Sequence, residues 1–364
     1  MFQPPRCPHP DCSNHTAPQT TGRTDRFYQR AGEFCALRHP RPVPRFRCKS
    51  CRRTFSRQTF RMDRWDRRPD LNQLAFSKAC SGMGLRQMGR ELRIRPNNLA
   101  AKLRKIARHL GHLHENLMGW FDRSDLDCEF ALDELETVEN CRTSQPLTVA
   151  TLIHQESFFL VGAEVGTLAP RGRRDAADRR RVEDRAAVEG KRRSQSRAVC
   201  RRVFETAARH CTHSARVGLR SDQKRTYPRL ARDAFGPRLV RHHQIHSKLP
   251  RNPRNPLHRI NLMLAISRDL VGRLRRRSWL ASKRRERLQL HLQMLAAYRN
   301  YHRPRFNRDV ETPAQLLGFV PRALSRGELL SWRQDHGPAR SIHPLARRGE
   351  SVAKFRDEAS LAAA

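Results

Sequence analysis

Three short apolar runs follow one another between Phe130 and Ala163, and no other feature of the chain restricts its fold so much. They are Phe130–Thr137, which continues from Cys128, then Leu147–Ile153 and Ser157–Ala163. Their β-branched and aromatic content predicts three consecutive strands. On the first, the side-chain period of two puts Asp133 and Leu135 on one face and Glu134 and Glu136 on the other. A carboxylate on a strand heading for a core is costly unless it is paired or binds a cation. On an edge strand in water it would need neither.

The pattern then alternates. Arg171–Arg193 holds ten basic and five acidic residues with almost nothing to bury, so a solvated helix or a mobile loop is expected. Ser194–Arg209 reads as an amphipathic helix through Val199, Val203, Phe204 and Ala207. A fourth strand, Ala215–Arg220, ends in Ser221 and Asp222; a helix over Tyr227–Phe235 and a fifth strand over Leu239–His246 follow, the latter with His242, Gln244 and His246 on one face. Strands and helices in this order predict a mixed α/β sheet. Asp222 stands at a strand terminus, where it can converge with Asp133. Two such carboxylates suit Mg²⁺, and two ions about 4 Å apart can activate water and stabilise a leaving 3′ oxygen.

Charge names the partner. Lys plus Arg number 74 against 35 Asp plus Glu, a formal net charge of +39. So basic a surface repels itself unless a polyanion is near, and nucleic acid is the commonest one. No apolar run is long enough to span a bilayer and Met1–Arg6 is no signal peptide, so no membrane partner and a cytoplasmic, nucleoid-associated protein are expected. In a reducing compartment, ten cysteines serve as zinc ligands or buried thiols rather than disulfides.

Two cysteine pairs have ligand spacing: Cys7 with Cys12, and Cys48 with Cys51, with 35 residues between the pairs. Each pair can place two thiolates on one tetrahedral Zn²⁺, and closing the loop between them costs little. Phe46 and Phe55 flank the second pair and can cover the metal in a module too small for its own core. Cys35 and His39, in the loop, could replace a ligand or bind separately.

From Asp70 the periodicity turns helical. Leu71, Leu74, Ala75 and Ala79 share a face, Ser81–Gly84 breaks it, and Leu85–Leu92 makes a second helix. A third runs from Asn97 to about Leu110, with Leu99, Leu103, Ile106 and Leu110 inward and Asn98, Lys102, Arg104, Lys105 and Arg108 mostly outward. This is the layout of a helix-turn-helix. Asn97 and Asn98 are then candidates for base contacts, and Lys102, Arg104, Lys105 and Arg108 for phosphate. The bland alternative is a packing bundle with a solvated basic face.

Taken together, the cysteine knuckle, the helix-turn-helix and Asp133 and Asp222 on strands one and four resemble bacterial insertion-sequence transposases of the DDE type. The tail adds to the likeness with Asn255–Asn261, the basic helix Arg268–Trp279, Tyr298–Pro304 and Glu311–Ala314. The resemblance implies a ribonuclease-H-like mixed five-stranded sheet with flanking helices over residues 123–320, carrying a charged insert at 170–193. Before it come a zinc-ribbon-like module (1–62) and an all-α helix-turn-helix domain (63–122), and after it a partly disordered tail (321–364). It also implies strand cleavage and strand transfer on double-stranded DNA, at transposon ends and target, with Mg²⁺ or Mn²⁺ at the catalytic aspartates, structural Zn²⁺, and a homo-oligomer on DNA. In the family a third acid begins the helix after strand five. Here, with 35 residues intervening after Asp222, stands His258, and no Glu occurs between Thr206 and Glu286. His258, Asp269 further along that helix, or neither would complete the site. Arg273, Arg275 and Arg276 on the basic helix read as phosphate contacts, with Leu270, Val271 and Leu274 behind them. The alternative from the binding class is a sequence-specific DNA-binding protein, or a decayed inactive copy, with incidental aspartates.

Overall fold

A computed structural model describes residues 4, 6–16, 26–35, 42–119, 121, 128–172, 175–211, 216–250, 252–275 and 279–332. The chain forms two compact units, one comprising residues up to Leu71 and from Gly327 onward, the other spanning Asn72–Arg326. Among the described residues no helix is long and apolar enough to cross a membrane.

The first unit is built on a three-stranded antiparallel sheet of β1 (Tyr28–Phe34), β2 (Val43–Cys48) and β3 (Thr54–Ser56), with a single-turn helix α1 (Ser13–Thr16) ahead of it. Its core is Phe27, Tyr28, Phe46, Phe55 and Phe60 packed around Cys7, Cys12 and Cys48. The Phe46 and Phe55 rings lie 5.9 Å apart, covering the cysteines as expected from their flanking positions. A core of this size supplies little stability unless something staples it.

The second unit opens with three helices, α2 (Asn72–Ala79), α3 (Leu85–Glu91) and α4 (Pro96–Met118). They fall in the same compact unit as the sheet that follows, although their pattern in the sequence sets them apart at residue 122. The reason lies in α4, which runs two turns past the Leu110 end expected for it and packs along α9 (Arg285–Ala297). Gly111 serves as the point of approach: a Cβ there would lie 2.8 Å from the Gln293 side chain. Leu113, Leu117 and Met118 continue the buried stripe. On α2 the buried residues are Asn72, Ala75, Phe76 and Ala79, while Leu74, expected inward, is 48% exposed.

The five strands come in the expected order: β4 (Cys128–Val138), β5 (Pro146–His154), β6 (Leu160–Thr167), β7 (Val217–Asp222) and β8 (Leu239–Ile245). They form one mixed sheet ordered β6-β5-β4-β7-β8, in which β5 is antiparallel to β4 and β6, and β7 is parallel to β4 and β8. The charged segment is a helix, α5 (Ala176–Glu189), with no buried residue, hence the solvated of the two expectations. On one face Ala131, Leu135, Val149 and Ile153 pack against α8 (His258–Leu270) and α9. On the other, Phe130 stacks 6.1 Å from Phe235 of α7 (Tyr227–Phe235), and Phe235 meets Phe204 of α6 (Ser196–His210). Truncating a fully buried leucine such as Leu152 here would cost about 2–5 kcal/mol.

Three residues of the last two tail segments hold the fold together. Asn300 accepts from the Leu160 backbone N–H at 2.8 Å and donates to the Leu160 carbonyl at 2.9 Å, so it latches the start of β6. Tyr301 is fully buried with its hydroxyl 2.9 Å from His114 Nδ1 on α4. Thr312 caps α10 (Pro313–Leu316) through a reciprocal capping box with Gln315. The expected basic helix over Arg268–Trp279 does not form: α8 ends at Leu270 and a 3-10 turn, Gly272–Leu274, replaces it. The stop comes from Gly82, at φ +72°, whose N–H donates to the Leu270 carbonyl at 2.8 Å. Leu270, Val271 and Leu274 are nevertheless buried, as expected. Residues 333–364, with most of the tail expected to be disordered, lie outside the described residues.

Candidate functional site

Two sites are built from the residues singled out above. In the first unit the Sγ atoms of Cys7, Cys12, Cys48 and Cys51 all lie within 4.8 Å of one another. Cys7 and Cys51 approach to 3.6 Å and Cys12 and Cys48 to 3.7 Å. Four sulfurs about 2.3 Å from a tetrahedral zinc would stand about 3.8 Å apart. The knuckles are shaped by the backbone: Cys12 N–H donates to the His9 carbonyl, and Arg52, at φ +59°, returns its N–H to Cys48 O at 3.0 Å. Burial opposes the Cys48 thiolate, but the backbone N–H groups of Cys51 and Ser50 and the Asn14 amide outweigh it and bring Cys48 down to about 7. The donor set and its spacing are consistent with a structural Zn²⁺ site. Cys35 is exposed and outside the cluster, and His39 lies outside the described residues.

The second site rests on strand register. β4 and β7 pair in parallel up to Ala131 opposite Arg220. Two residues beyond that pair on each strand stand Asp133 and Asp222, so the period of two turns both toward α8. They line one cleft of about 860 Å³ together with His258, Arg142, Arg268 and Arg275. His258 is the first residue of α8, the helix that follows the fifth strand. Asp133 Oδ1 accepts from the Glu134 backbone N–H at 2.7 Å, and Asp222 Oδ1 from the Lys224 backbone N–H at 3.1 Å. Asp269, in the last turn of α8, is exposed and is not part of the cleft lining. Among the described residues the four cysteines are the only group of three or more ligand-type side chains close enough to share an ion. The two aspartates thus offer hard oxygen donors, and His258 lines the same cleft without closing on them.

A network that sequence reasoning missed lies on the opposite face of β4. Glu134 pairs with the Lys224 ammonium and accepts from Tyr227 Oη at 2.9 Å and Thr148 Oγ1 at 2.9 Å. Lys224 also donates to Ser196 Oγ at 2.5 Å. Burial disfavours the Glu134 carboxylate, but Lys224, Ser196 and Thr148 outweigh it and hold it below its ordinary value. Burial, then Glu134, and more weakly Asp222 and Asp133, push the Tyr227 phenol up, so it stays a donor. Lys224 therefore links the two catalytic candidates' strands: its backbone fixes Asp222, while its side chain fixes the residue next to Asp133. The available signal was the alternation itself, which puts Glu134 opposite Asp133.

Of the DNA-contact candidates, Asn97 and Asn98 are exposed in the first turn of α4 and line a cavity of about 620 Å³ with Leu85, Arg86 and Arg95. Lys105 and Arg108 are exposed and Arg104 half-buried. Lys102 departs from its expected outward place: it is buried, and its ammonium donates to Asn72 Oδ1 at 2.7 Å. Its position on α4 faces α2, so it braces the two helices rather than offering charge to phosphate. Arg273 is half-buried in the 3-10 turn, where burial and then Arg287 lower it; Arg275 is exposed and donates to the Asp269 carbonyl at 3.2 Å; Arg276 lies outside the described residues. A comparison with protein families and with curated proteins finds no match to this chain.

Proposed function

We propose that this chain is a DNA transposase with a ribonuclease-H-like catalytic domain, which holds transposon ends and carries out metal-dependent strand cleavage and strand transfer. The observation that carries this reading is the side-by-side placement of Asp133 and Asp222 on adjacent parallel strands, in a cleft rimmed with arginines. Magnesium bound between the carboxylates would supply Lewis-acid activation and neutralise charge developing on a phosphodiester. The remaining roles belong to the chain. Asp133 and Asp222 provide the ligand oxygens, the Lys224 N–H fixes one of them, and Arg142, Arg268 and Arg275 receive backbone phosphates. Asn97 and Asn98, exposed at the start of α4, would face base edges, with Lys105 and Arg108 on phosphate. The cysteine module would dock on the same duplex, and the joining of two ends calls for a homo-oligomer.

Supercoiled plasmid carrying short inverted repeats, incubated with the protein and Mg²⁺, should be nicked by the native chain and spared by Asp133→Ala. Equal nicking by both would discard the mechanism, and cleavage without joined products would reduce the reading to a nuclease. One observation favours a second reading: His258 does not close on the aspartates and Asp269 is elsewhere, which fits a non-catalytic, sequence-specific DNA-binding protein or an inactive transposase copy. That reading predicts tight binding to the repeats and no nicking at all.

A further inference from the structure

A second cavity, of about 550 Å³, opens where the segment after α9 folds back on Ile266 of α8. It is lined by Arg299, Arg303, Arg305 and Arg308, with Phe306 and a single carboxylate, Asp309. Asp309 is committed to Arg305, whose Nε donates to it at 2.6 Å. Arg299 sits in a short π-helical turn, Tyr298–His302, and is 1% exposed. Its Nη atoms donate to the Pro304 and Arg305 carbonyls at 3.2 and 2.9 Å, while its Nε, shut from solvent, finds no acceptor among the described residues. Burial, then Arg303 close by, lower Arg299 only to about 10, so at neutral pH the guanidinium is still charged. A buried cation bonded only to carbonyls, with three more guanidiniums around one cavity, is an arrangement that a bound anion would compensate.

We propose that this cavity is a binding site for a phosphate group, with Arg299 as its rigid base and Arg303 and Arg308 as the arms that close on the ligand. Forked guanidiniums suit the tetrahedral, multiply charged oxygens of phosphate better than a single carboxylate. The site stands apart from the aspartate cleft and does not depend on the function proposed for that cleft. A free phosphate compound and a nucleic-acid backbone both present this group, and the two sources are separable.

The test uses the full-length, zinc-loaded chain titrated calorimetrically with pyrophosphate and, separately, with a random-sequence DNA duplex. The double variant Arg303→Ala/Arg308→Ala is compared with Arg179→Ala/Arg180→Ala, which removes the same charge from the exposed helix α5. Neither Arg303 nor Arg308 clamps the fold as Arg299 does, and unchanged melting temperatures would verify that both variants are native. The cavity variant should lose about tenfold or more in affinity while the control changes by less than about twofold. A loss confined to pyrophosphate identifies a free phosphate ligand, and a loss confined to the duplex identifies a backbone phosphate. Equal losses in the two variants, or none in either, would overturn the proposal.

Discussion

The cysteine cluster and the aspartate cleft are both candidate metal sites, yet the chain finishes only the first. Four sulfurs stand at mutual distances that a tetrahedral ion would set, inside a shell of phenylalanines. Two carboxylates stand on neighbouring strands in an open cleft, with a half-buried histidine at its wall and arginines at its rim. The difference follows from ligand chemistry. Four thiols need not all ionise before metal arrives, so short spacings and backbone turns can gather them at little electrostatic cost. Carboxylates repel one another, and a fold that brings them together must leave them room until cation and polyanion are present. A closed site of the first kind supports the fold, whereas an open one of the second kind waits for a ligand.

The largest effect should come from breaking the closed site. Chelating zinc, or replacing Cys48 by Ser, is expected to remove of the order of 10 kcal/mol from the first unit, enough to unfold it. Hydrogen exchange would then show protection lost across β1 and β2 and kept across β4 and β5; retained protection of β1 and β2 in zinc-free protein would refute the structural role. The open site should respond in the opposite sense. Asp133→Asn removes one of two facing charges, so its melting temperature should not fall. Divalent-dependent nicking should nevertheless drop at least about a hundredfold, the scale of a few kcal/mol of lost charge stabilisation. A variant that unfolds instead would show that Asp133 supports the sheet.

Between these lies Glu134, 11% exposed and locked to Lys224. Its replacement by Gln should cost roughly 1–3 kcal/mol by loosening a charge-assisted network. The pH dependence has a definite sign. Because the folded value of Glu134 is depressed, its contribution is fully present above the unfolded carboxylate value and is lost as pH falls through the folded one. Glu134→Gln should therefore narrow the stability gap to the native chain in acid, measured by urea melts at falling pH. A gap that widens in acid would mean that another group carries the effect.

How much of this could be read from the chain depends on the range of the interaction. Strand alternation and the bounds of α7 are local, and the expected Tyr227–Phe235 helix forms with those ends. The cysteine pairs are also local, since each spacing fixes its own knuckle. The adjacency of β4 and β7 is not local, but a mixed sheet with Asp222 at a strand terminus and Asp133 on the first strand limits the options, and the register brings them together. What escaped such reading depended on distant partners. Lys102 looks outward on a helical wheel until Asn72 of α2 receives it, and α4 continues past Leu110 where Gln293 of α9 packs against Gly111. The basic helix past Leu270 is ended by the carbonyl that Gly82, some 190 residues earlier, captures. Nor could spacing decide between His258 and Asp269: both ride on α8, and only the packed structure puts one in the cleft and the other outside it.

The smallest expected effect on stability sharpens the contrast most. Arg171 lines the cleft and bonds Glu136 at 3.1 Å, with both side chains about two-thirds exposed. An ion pair that open contributes at most about 0.5 kcal/mol, so Arg171→Ala should leave the melting curve almost where it was. Duplex DNA should sense it differently. Removing a cation that sits on a phosphate lowers the slope of log affinity against log salt by about one, and the change appears equally on any sequence because phosphates carry no base information. An unchanged slope would put the duplex elsewhere on this basic surface. A reduced slope with intact stability would show that the arginines of the open site serve the ligand, whereas the cysteines of the closed one serve the chain.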